Sequence, residues 1–367
     1  MKVECVQERL QTALLKTARM TGKGASFPIL SCVLLEAKGS ILLIRATNLD
    51  IGIEISIPVK VEREGKIAIP GGIIAQYIAS LPNGKGVLLE SKQDNLVITT
   101  AHGKTTIKGV AHEDFPVIPK ISTDVSFHMP IEQFIHGLRS VWYSASTSTI
   151  KPELASVYCA VTDGTMYFCA TDAFRLAEKK IAVSGISDHK QMLIPIKNII
   201  DIFRALEDVS GEATIAFNEN QIAIYFDTVY ITSRLIDGIF PDYRQIIPKS
   251  CSTKATILKD DLLHALKVAT IFSNKLNQSK ISFHIREKKI EITTKSGDIG
   301  ENSESVDVSI SGEDIEMTIN YRYLLDCFQS LYTDSVSLEC TDARKPIVLA
   351  GVGDPSFIYL IMPMNIE

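Results

Sequence analysis

The stretch Ile69–Leu81 (IPGGIIAQYIASL) has two counterparts, Ile194–Leu206 (IPIKNIIDIFRAL) and Ile319–Leu331 (INYRYLLDCFQSL). After the opening Ile-Pro or Ile-Asn, each continues into eleven residues with apolar side chains at helical spacing, which predicts an amphipathic helix. The second residue of the stretch stands at positions 70, 195 and 320, so the step is 125 residues both times. A domain-length step that occurs twice indicates three copies of one domain.

Two further markers follow the same order along the chain. The pair Phe115-Pro116 returns 125 residues later as Phe240-Pro241. A strand followed directly by a helix start is predicted at Val6–Leu10, Pro130–Phe134 and Leu258–Leu262. Three markers in one order and at nearly one spacing strengthen the threefold repeat, and a pseudo-symmetric array of this kind usually wraps or rings another molecule.

Each copy is predicted to be a small α+β domain with two helices and several antiparallel strands. In the first copy the leading helix is expected over about Gln7 to Met20, with Leu10, Leu14, Leu15 and Ala18 on one face. Strand patterns follow at Leu30–Glu36 and Ser40–Ala46. Helices that segregate to one face of a sheet are typical of such domains. Polar or proline-marked segments near Pro119 and Pro248 place the domains at residues 1–120, 121–249 and 250–367.

Composition is that of an ordinary globular protein. The 367 residues are 46% hydrophobic and 22% charged, and no apolar run approaches the length of a membrane span. The N-terminal segment Met1–Glu8 carries early acids and no apolar core, so no signal peptide is predicted and a cytoplasmic location is expected. The seven cysteines form no C-x-x-C pair, which indicates reduced thiols that are mostly buried.

The search for catalytic and metal-binding motifs is negative. Gly103–Thr105 resembles the end of a phosphate-binding loop, but Ile98 stands where that motif needs glycine, and the segment is predicted to form a hairpin turn. Asp298–Asn302 lacks the alternating acids of a calcium loop. We therefore expect no catalytic residue, no metal and no cofactor, and an enzyme with an unfamiliar site remains only an alternative. The net charge of −5 argues, by itself, against a nucleic-acid-binding protein.

Three segments carry a family resemblance. They are Ala170–Ala177 (ATDAFRLA), Asp237–Pro248 (DGIFPDYRQIIP) and Tyr359–Met364 (YLIMPM). With the threefold repeat they resemble the bacterial sliding clamps, the β subunits of DNA polymerase III, and the resemblance extends from Met1 to the C-terminus. It implies a non-enzymatic ring in which two chains join head to tail, with helices lining the central hole and sheets outside.

In such a ring, double-stranded DNA passes through the hole without sequence-specific binding. The implied partners are the catalytic subunit of DNA polymerase III, an ATP-driven clamp loader, other proteins with a clamp-binding motif, and a second copy of the chain. Because a topological link needs no tight binding, a slightly acidic protein can still hold DNA. The alternative is a peptide-binding scaffold of the same fold that does not encircle DNA.

The resemblance implies a basic lining of the hole, with contacts to phosphates and not to bases. The DNA-facing candidates are Arg9, Arg19, Lys23, Arg139, Lys151, Lys197 and Arg204. The plain alternative is that these side chains belong to solvated helix faces that acids interrupt. Gly24 stands where the family carries a basic residue, beside Lys23.

The resemblance also implies a pocket for a short peptide rich in glutamine and leucine, between the second and third domains. Its candidate residues are Leu154, Thr171, Arg175, Leu176, Pro241, Ile246, Asn320, Tyr323, Ile361, Met362, Pro363 and Met364. Apolar side chains that include flexible methionines suit a groove with several partners. Leu154, Leu176 and Pro241 could equally be core residues. The rim departs from the family at Ala173, Phe174, Gln245, Arg344 and Pro346.

Head-to-tail assembly implies a contact between the first domain of one chain and the third domain of the other. Lys104 and Ile107 are the candidates on the first domain. Ile271, Phe272, Glu301 and Glu304 are the candidates on the third. The apolar side chains are expected at the buried centre and the opposite charges at the rim.

Overall fold

The protein is described here from a computed structural model, which covers residues 1–22, 27–121, 126–184, 190–207, 209–273 and 276–364. The described part of the first copy contains two helices and nine strands. They are β1 (Lys2–Val6), α1 (Gln7–Ala18), β2 (Cys32–Lys38), β3 (Ile41–Thr47), β4 (Ile51–Pro58), β5 (Lys60–Arg63), β6 (Gly65–Pro70), α2 (Gly71–Ala79), β7 (Gly86–Lys92), β8 (Asn95–Thr100) and β9 (Gly103–Lys108).

The second and third copies continue with the same kind of elements. The second has β10 (Ser126–Pro130), α3 (Ile131–Val141), β11 (Ser156–Thr162), β12 (Thr165–Thr171), β13 (Arg175–Ala182), β14 (Lys190–Pro195), α4 (Ile196–Ala205), β15 (Glu212–Phe217), β16 (Gln221–Phe226) and β17 (Val229–Arg234). The third has β18 (Thr253–Leu258), α5 (Lys259–Ile271), β19 (Gln278–His284), β20 (Lys289–Ser296), β21 (Gly300–Asp307), β22 (Ser309–Ser311), β23 (Ile315–Asn320), α6 (Tyr321–Cys327), β24 (Ser335–Cys340), β25 (Ile347–Gly351) and β26 (Phe357–Ile361).

These elements confirm the repeat read from the sequence. Each Ile-Pro or Ile-Asn pair ends a strand (β6, β14, β23), and the helix that follows (α2, α4, α6) begins at the next residue. The helices α1, α3 and α5 begin directly after β1, β10 and β18, as the strand-to-helix marker predicted. The predicted ends of these helices were one to four residues too long, because α4 ends at Ala205, α2 ends at Ala79 and α6 gives way to a 3-10 turn at Phe328–Ser330.

The predicted inner face of the first helix was partly wrong. Leu10 and Leu14 are fully buried, but Leu15 is 39% exposed, and Ala13 and Thr17 face the core in its place. The buried positions 10, 13, 14 and 17 follow the helical spacing closely, whereas Leu15 lies on the opposite side of α1 from Ala13. An exposed leucine on a helix is normal, so composition alone could not assign this face.

The strands form four antiparallel sheets, and two of these sheets join one copy to the next. One has the order β10-β15-β16-β17-β4-β3-β2-β6, in which β17 of the second copy pairs with β4 of the first. Another has the order β14-β11-β12-β13-β26-β25-β24-β18-β22, in which β13 of the second copy pairs with β26 of the third. The remaining sheets, β5-β1-β7-β8-β9 and β21-β20-β19-β23, belong to a single copy each, and β9 and β21 lie at their edges.

Contacts between Cα atoms divide the chain into two compact units. The first is made mainly of Met1–Ile135 and Lys197–Asp237, and the second mainly of His136–Val183 and Gly238–Glu367. This division follows the two joining sheets and does not follow the three copies, so the domain limits at residues 120 and 249 stay a prediction. No helix in the described ranges is long and apolar enough to cross a membrane.

All seven cysteines are free, and six of them are buried. Burial raises the pKa of the Cys5 thiol to about 12, with a smaller contribution from Glu4. Cys251 is exposed. The predicted reduced and mostly buried thiols are therefore confirmed, with Cys251 as the exposed exception.

The helix–sheet packing of the second copy depends on a glycine. A Cβ atom added at Gly137 in α3 would lie 2.3 Å from the Phe168 ring of β12, far inside van der Waals contact. At the corresponding positions the other copies pair an alanine with an isoleucine, Ala13 with Ile44 and Ala265 with Ile292. The larger ring of Phe168 thus requires the smaller residue on the helix.

We expect Gly137→Ala to destabilise the protein by about 1–3 kcal/mol through overpacking, measured as the shift of the thermal unfolding transition. The double variant Gly137→Ala with Phe168→Ile, which copies the pairing of the other two domains, should recover most of this loss. Gly72→Ala in α2 is the control, because nothing lies within 4 Å of an added Cβ there. Equal losses in the single and double variants would contradict this account of the packing.

Candidate functional site

The turn between β12 and β13 positions the first part of the candidate site. The Thr171 hydroxyl donates to the Arg175 carbonyl oxygen at 2.6 Å and accepts from the Ala173 N–H at 3.1 Å. The Asp172 carboxylate accepts from the N–H groups of Phe174 and Arg175 at 2.9 and 3.0 Å. Ala173 has φ of 76°, a left-handed conformation that glycine adopts more readily, and its neighbour Phe174 is 62% exposed. The turn therefore holds an aromatic side chain out at the surface.

Arg175, the first residue of β13, is the most constrained side chain of the site and only 12% exposed. Its Nε lies 2.9 Å from Asp172 Oδ2, and its Nη1 lies 2.5 Å from Asp326 Oδ2 in α6. The guanidinium also stacks on the Tyr323 ring, 4.4 Å from the centroid. Burial alone would lower the pKa of Arg175, but Tyr359, Asp326 and Asp172 more than offset this effect. The pKa is therefore raised, and the guanidinium stays charged.

The end of β26 closes the site from the other side. Arg175 pairs with Ile361 in the ladder between β13 and β26, and the Met362 N–H donates to the Phe174 carbonyl oxygen at 2.8 Å. Two residues later, the Met364 N–H donates to the Thr318 carbonyl oxygen of β23 at 2.7 Å. Met362 is 37% exposed, and Pro363 and Met364 are half-buried. The terminal segment is thus fixed by its backbone and keeps apolar side chains accessible.

The helix α6 supplies the third wall. Asn320 is its N-cap, and its side-chain oxygen accepts from the Arg322 N–H at 3.0 Å. The prolines at the same position in the other copies cannot provide such a cap. The Tyr359 hydroxyl donates to the Tyr323 carbonyl oxygen at 2.9 Å, which ties α6 to β26. Asn320 therefore has a structural role in capping, in addition to any contact with a ligand.

The segment Pro241–Ile246 lies along the same compact unit and is anchored to β13 by one residue. The Tyr243 hydroxyl donates to Glu178 at 2.5 Å, and Tyr243 is 4% exposed. Pro241 is exposed and Ile246 is 51% exposed, so both present apolar surface. Leu154 is half-buried, whereas Leu176 is 1% exposed and acts as part of the core.

The structure thus brings together Thr171, Arg175, Tyr323, Ile361 and Met362 by direct bonds, stacking or strand pairing. Sequence reasoning missed Asp172, Asp326 and Tyr359, which hold Arg175 and Tyr323 in place. Asp326 lies 151 residues from Arg175, so no local pattern could reveal the pair. Among the departing rim residues, Gln245 and Arg344 are exposed and Pro346 is buried. Together these elements place accessible apolar side chains around one fixed cation, and this surface, the candidate groove, is suited to a short peptide.

The candidate DNA-facing cations are exposed wherever the structure describes them. They are Arg9, Arg19, Arg139, Lys151, Lys197 and Arg204. Lys197 Nζ lies 2.6 Å from Asp50 Oδ2, and Arg204 lies 3.3 Å from Asp201. Lys23 and Gly24 lie outside the described residues. The charge of Lys197 and of Arg204 is therefore partly neutralised by nearby acids.

The candidate interface residues lie on or next to the two edge strands. Lys104 is exposed on β9, but Ile107 on the same strand is 6% exposed and already packs inside its own domain. Glu301 is exposed on β21 and pairs with Lys295 at 2.8 Å, and Glu304 is half-buried. Ile271, at the end of α5, is 64% exposed, and Phe272 is half-buried beside it. No group of three or more metal-ligating side chains occurs among the described residues.

Three family models match the chain in succession. They describe the N-terminal, central and C-terminal domains of the DNA polymerase III beta subunit and match residues 1–119, 128–242 and 244–365. A beta sliding clamp of Synechococcus elongatus is 28% identical over 379 aligned positions and covers both chains completely. A beta sliding clamp of Staphylococcus aureus is 25% identical over 96% of each chain.

Among solved structures, the DNA polymerase III subunit beta from Pseudomonas aeruginosa superimposes with a TM-score of 0.95 at 23% identity and covers both chains completely. The fold is therefore the three-domain clamp fold, with an α+β unit used three times. The chain belongs to the DNA polymerase III beta subunit family. Members of this family are sliding clamps, which are processivity factors and not enzymes.

We expect Arg175→Ala to lower the free energy of unfolding by about 2 kcal/mol, because the Asp172 carboxylate then stays mostly buried without its cation. Arg344→Ala, an exposed control, should change it by less than about 0.5 kcal/mol. Denaturant unfolding with a probe in the second compact unit measures both. If the two variants lost the same stability, the central role of Arg175 in this site would be wrong.

Proposed function

We propose that two copies of this chain form a closed ring around double-stranded DNA and that the groove beside Arg175 captures peptides of replication and repair proteins. The partners are the catalytic subunit of DNA polymerase III, a clamp loader and other proteins with the same motif, in the cytoplasm. Three domains per chain, with limits at residues 120 and 249, would then be six around the ring, with helices inside and sheets outside.

The observation that carries the ring is the pairing of strands between copies. Each joining sheet consists of a group of strands from one copy and a group from the next, and we call each group a half-sheet. The two half-sheets meet where β17 pairs with β4 in one sheet and where β26 pairs with β13 in the other. The strands at the equivalent positions in the two remaining half-sheets are β9 and β21, which are edges within one chain. If β9 of each chain pairs with β21 of the other chain, the pattern is complete and neither edge strand stays unpaired.

The register of the proposed β9–β21 pairing follows from the registers of the β4–β17 and β13–β26 ladders. Ile55, the fifth residue of β4, opposes Val229, the first of β17, and Lys179, the fifth of β13, opposes Phe357, the first of β26. The same rule sets Glu304 opposite Gly103 of the second chain. Thr105 then faces Asn302, and Lys104 faces Ser303 with Glu301 as its diagonal neighbour.

Asn302 supports this arrangement. Its side-chain oxygen is buried and has no hydrogen-bond partner among the residues that the structure describes. A buried acceptor without a donor costs about 1–3 kcal/mol, so an unpaired one at a sheet edge favours a donor from outside the chain. The exposed Ile271 beside this edge adds apolar surface for the same contact.

For DNA, the exposed cations on the helices would meet phosphates, and the acids that pair with them keep the contact weak. A ring that slides needs weak contacts, because each phosphate neutralised by a cation adds to affinity. The net charge of −5 is compatible with retention by encirclement. The scaffold alternative keeps the groove but has no use for the unfilled edges of β9 and β21.

For peptides, support comes from the groove itself and from a neighbour. A clamp structure from Pseudomonas aeruginosa was determined bound to griselimycin. In this chain, the exposed Phe174, Ile246 and Met362 can cover apolar side chains of a docked segment. The fixed backbone of Met362 and Met364 pre-organises that surface.

A fluorescein-labelled Gln-Leu-x-Leu-Phe peptide should bind the wild-type chain with a Kd on the order of micromolar in an anisotropy titration. A chain that ends at Ile361 should lose at least tenfold in affinity, because it lacks Met362, Pro363 and Met364. A chain that ends at Met364 is the matched control and should bind as the wild type does. No binding to the intact chain would refute the peptide-capture part of the proposal.

The ring is tested by a cross-link between chains. In a Cys251→Ser background, Thr105→Cys with Asn302→Cys should give a covalent dimer under oxidation, seen on a non-reducing gel. Thr106→Cys with Asn302→Cys is the control, because those side chains lie on opposite faces of the proposed sheet and should not cross-link.

Replacing Ile271 and Phe272 by alanine should shift the mass in solution toward the monomer. An undiminished dimer in that variant, together with equal cross-linking in both cysteine pairs, would exclude this interface.

A further inference from the structure

The first copy contains a cavity that is separate from the proposed groove. It has a volume of about 630 Å³ and lies between strands β2, β3, β4 and β6 and the segment of residues 112–120. Leu34 and Phe115 supply apolar walls, Arg45 and Glu54 supply charged ones, and Val117 and Ile118 come from the covering segment. We call it the linker cavity. All of its walls belong to the first compact unit.

In the second copy the corresponding place is filled by aromatic side chains of the chain itself. The Tyr158 and Phe240 rings are stacked with centroids 5.0 Å apart, and the Tyr243 ring meets both at 6.1 Å. The Tyr243 hydroxyl donates to the Glu178 carboxylate at 2.5 Å. A phenol thus lies between an apolar wall and a buried carboxylate.

The repeat fixes which residues correspond. Strand positions differ by 124 residues and linker positions by 125, so Tyr158 corresponds to Leu34, Phe240 to Phe115, and Glu178 to Glu54. Tyr243 corresponds to Ile118. The first copy therefore keeps the phenylalanine and the carboxylate but has two aliphatic residues in place of two phenol rings and Arg45 in place of Cys169, and the cavity lies beside them.

The carboxylate of the linker cavity can accept a further donor. Glu54 is 15% exposed and accepts from Arg45 Nε at 2.6 Å and from Lys120 Nζ at 2.8 Å. Burial alone would raise the pKa of Glu54, but Lys120 and Arg45 hold it below its usual value. A carboxylate has about four acceptor positions, so a phenol O–H could join the two cations.

The rim of the cavity points to a macromolecular occupant. Val117 is 90% exposed, although it is aliphatic and flanked by the buried Ile118. In the second copy, where the place is already filled, the corresponding residue is the exposed and polar Asp242. The exposed valine stands among the charged rim residues Lys66, Glu113 and Lys120, and a chain segment could cover it while one side chain enters the cavity.

We propose that the linker cavity receives a tyrosine side chain from an extended segment of a partner protein. The ring fills the space that Tyr158 and Tyr243 occupy in the second copy, the hydroxyl donates to Glu54, and the backbone of the segment covers Val117. The site is separate from the groove beside Arg175, so one chain could hold two different partners.

Methyl-labelled protein (Ile, Leu and Val) is titrated with the blocked pentapeptide Ala-Ala-Tyr-Ala-Ala and followed by NMR. The methyl signals of Leu34, Val117 and Ile118 should shift, and the phenylalanine version of the peptide should bind about tenfold more weakly, because it lacks the donor to Glu54. N-acetyl-tyrosinamide serves as the small-molecule arm and should bind more weakly than the tyrosine pentapeptide.

Leu34→Tyr restores the ring that the second copy has and should reduce peptide affinity at least tenfold. Val352→Tyr, at a 47% exposed position in the other compact unit, is the matched control and should leave affinity unchanged.

The proposal is overturned if wild-type methyl signals do not shift, if the tyrosine and phenylalanine peptides bind equally, or if folded Leu34→Tyr binds as well as wild type. Binding of N-acetyl-tyrosinamide alone, without the pentapeptide, would assign the cavity to a small phenolic ligand and also overturn it. The comparison of the two pentapeptides uses only the wild type, so it stands even if Leu34→Tyr fails to fold.

Discussion

Backbone pairing between strands of different copies is the constraint on which the rest of the structure depends. The ladders β17–β4 and β13–β26 merge half-sheets that would otherwise expose unpaired N–H and C=O groups. They also explain why the compact units of the chain do not coincide with its three copies. In a chain built this way, one half-sheet of the first copy and one of the third copy are not joined to another copy in the structure described. Their edge strands are β9 and β21. The proposed closure by a second chain would use the same backbone chemistry that joins the copies.

The same ladder creates the groove. Because Arg175 opposes Ile361, the turn before β13 and the segment after β26 emerge side by side, and α6 completes the walls through Tyr323. At the equivalent junction of the first two copies, Ile51 and Gly52 stand in place of Arg175 and Leu176, and Ile118 covers Gly52. That junction keeps the turn, because Thr47 and Asn48 make the same hydrogen bonds as Thr171 and Asp172, but it lacks the fixed cation. A repeated scaffold thus carries different sites because a few side chains at each junction differ.

Differences between the copies also balance one another. Gly137 accompanies Phe168 where the other copies pair an alanine with an isoleucine, and the aromatic cluster around Tyr243 fills space that the first copy leaves open beside Glu54. The exposed cations Lys197 and Arg204 are each paired with a nearby acid, Asp50 and Asp201, so their charge is partly balanced. Moderate surface charge suits a protein that retains DNA by its topology more than by its affinity.

The sequence by itself determined the threefold repeat and the starts of all six helices, because helical periodicity and Ile-Pro markers are local signals. It could not show that Leu15 is exposed while Ala13 is buried, since both are apolar and the face depends on what packs there. Nor could it show that Asp326 holds Arg175 or that Ala173 is left-handed. Only the tertiary structure decided which strands pair between copies, because those hydrogen bonds join residues more than a hundred positions apart and leave no periodic trace in the chain.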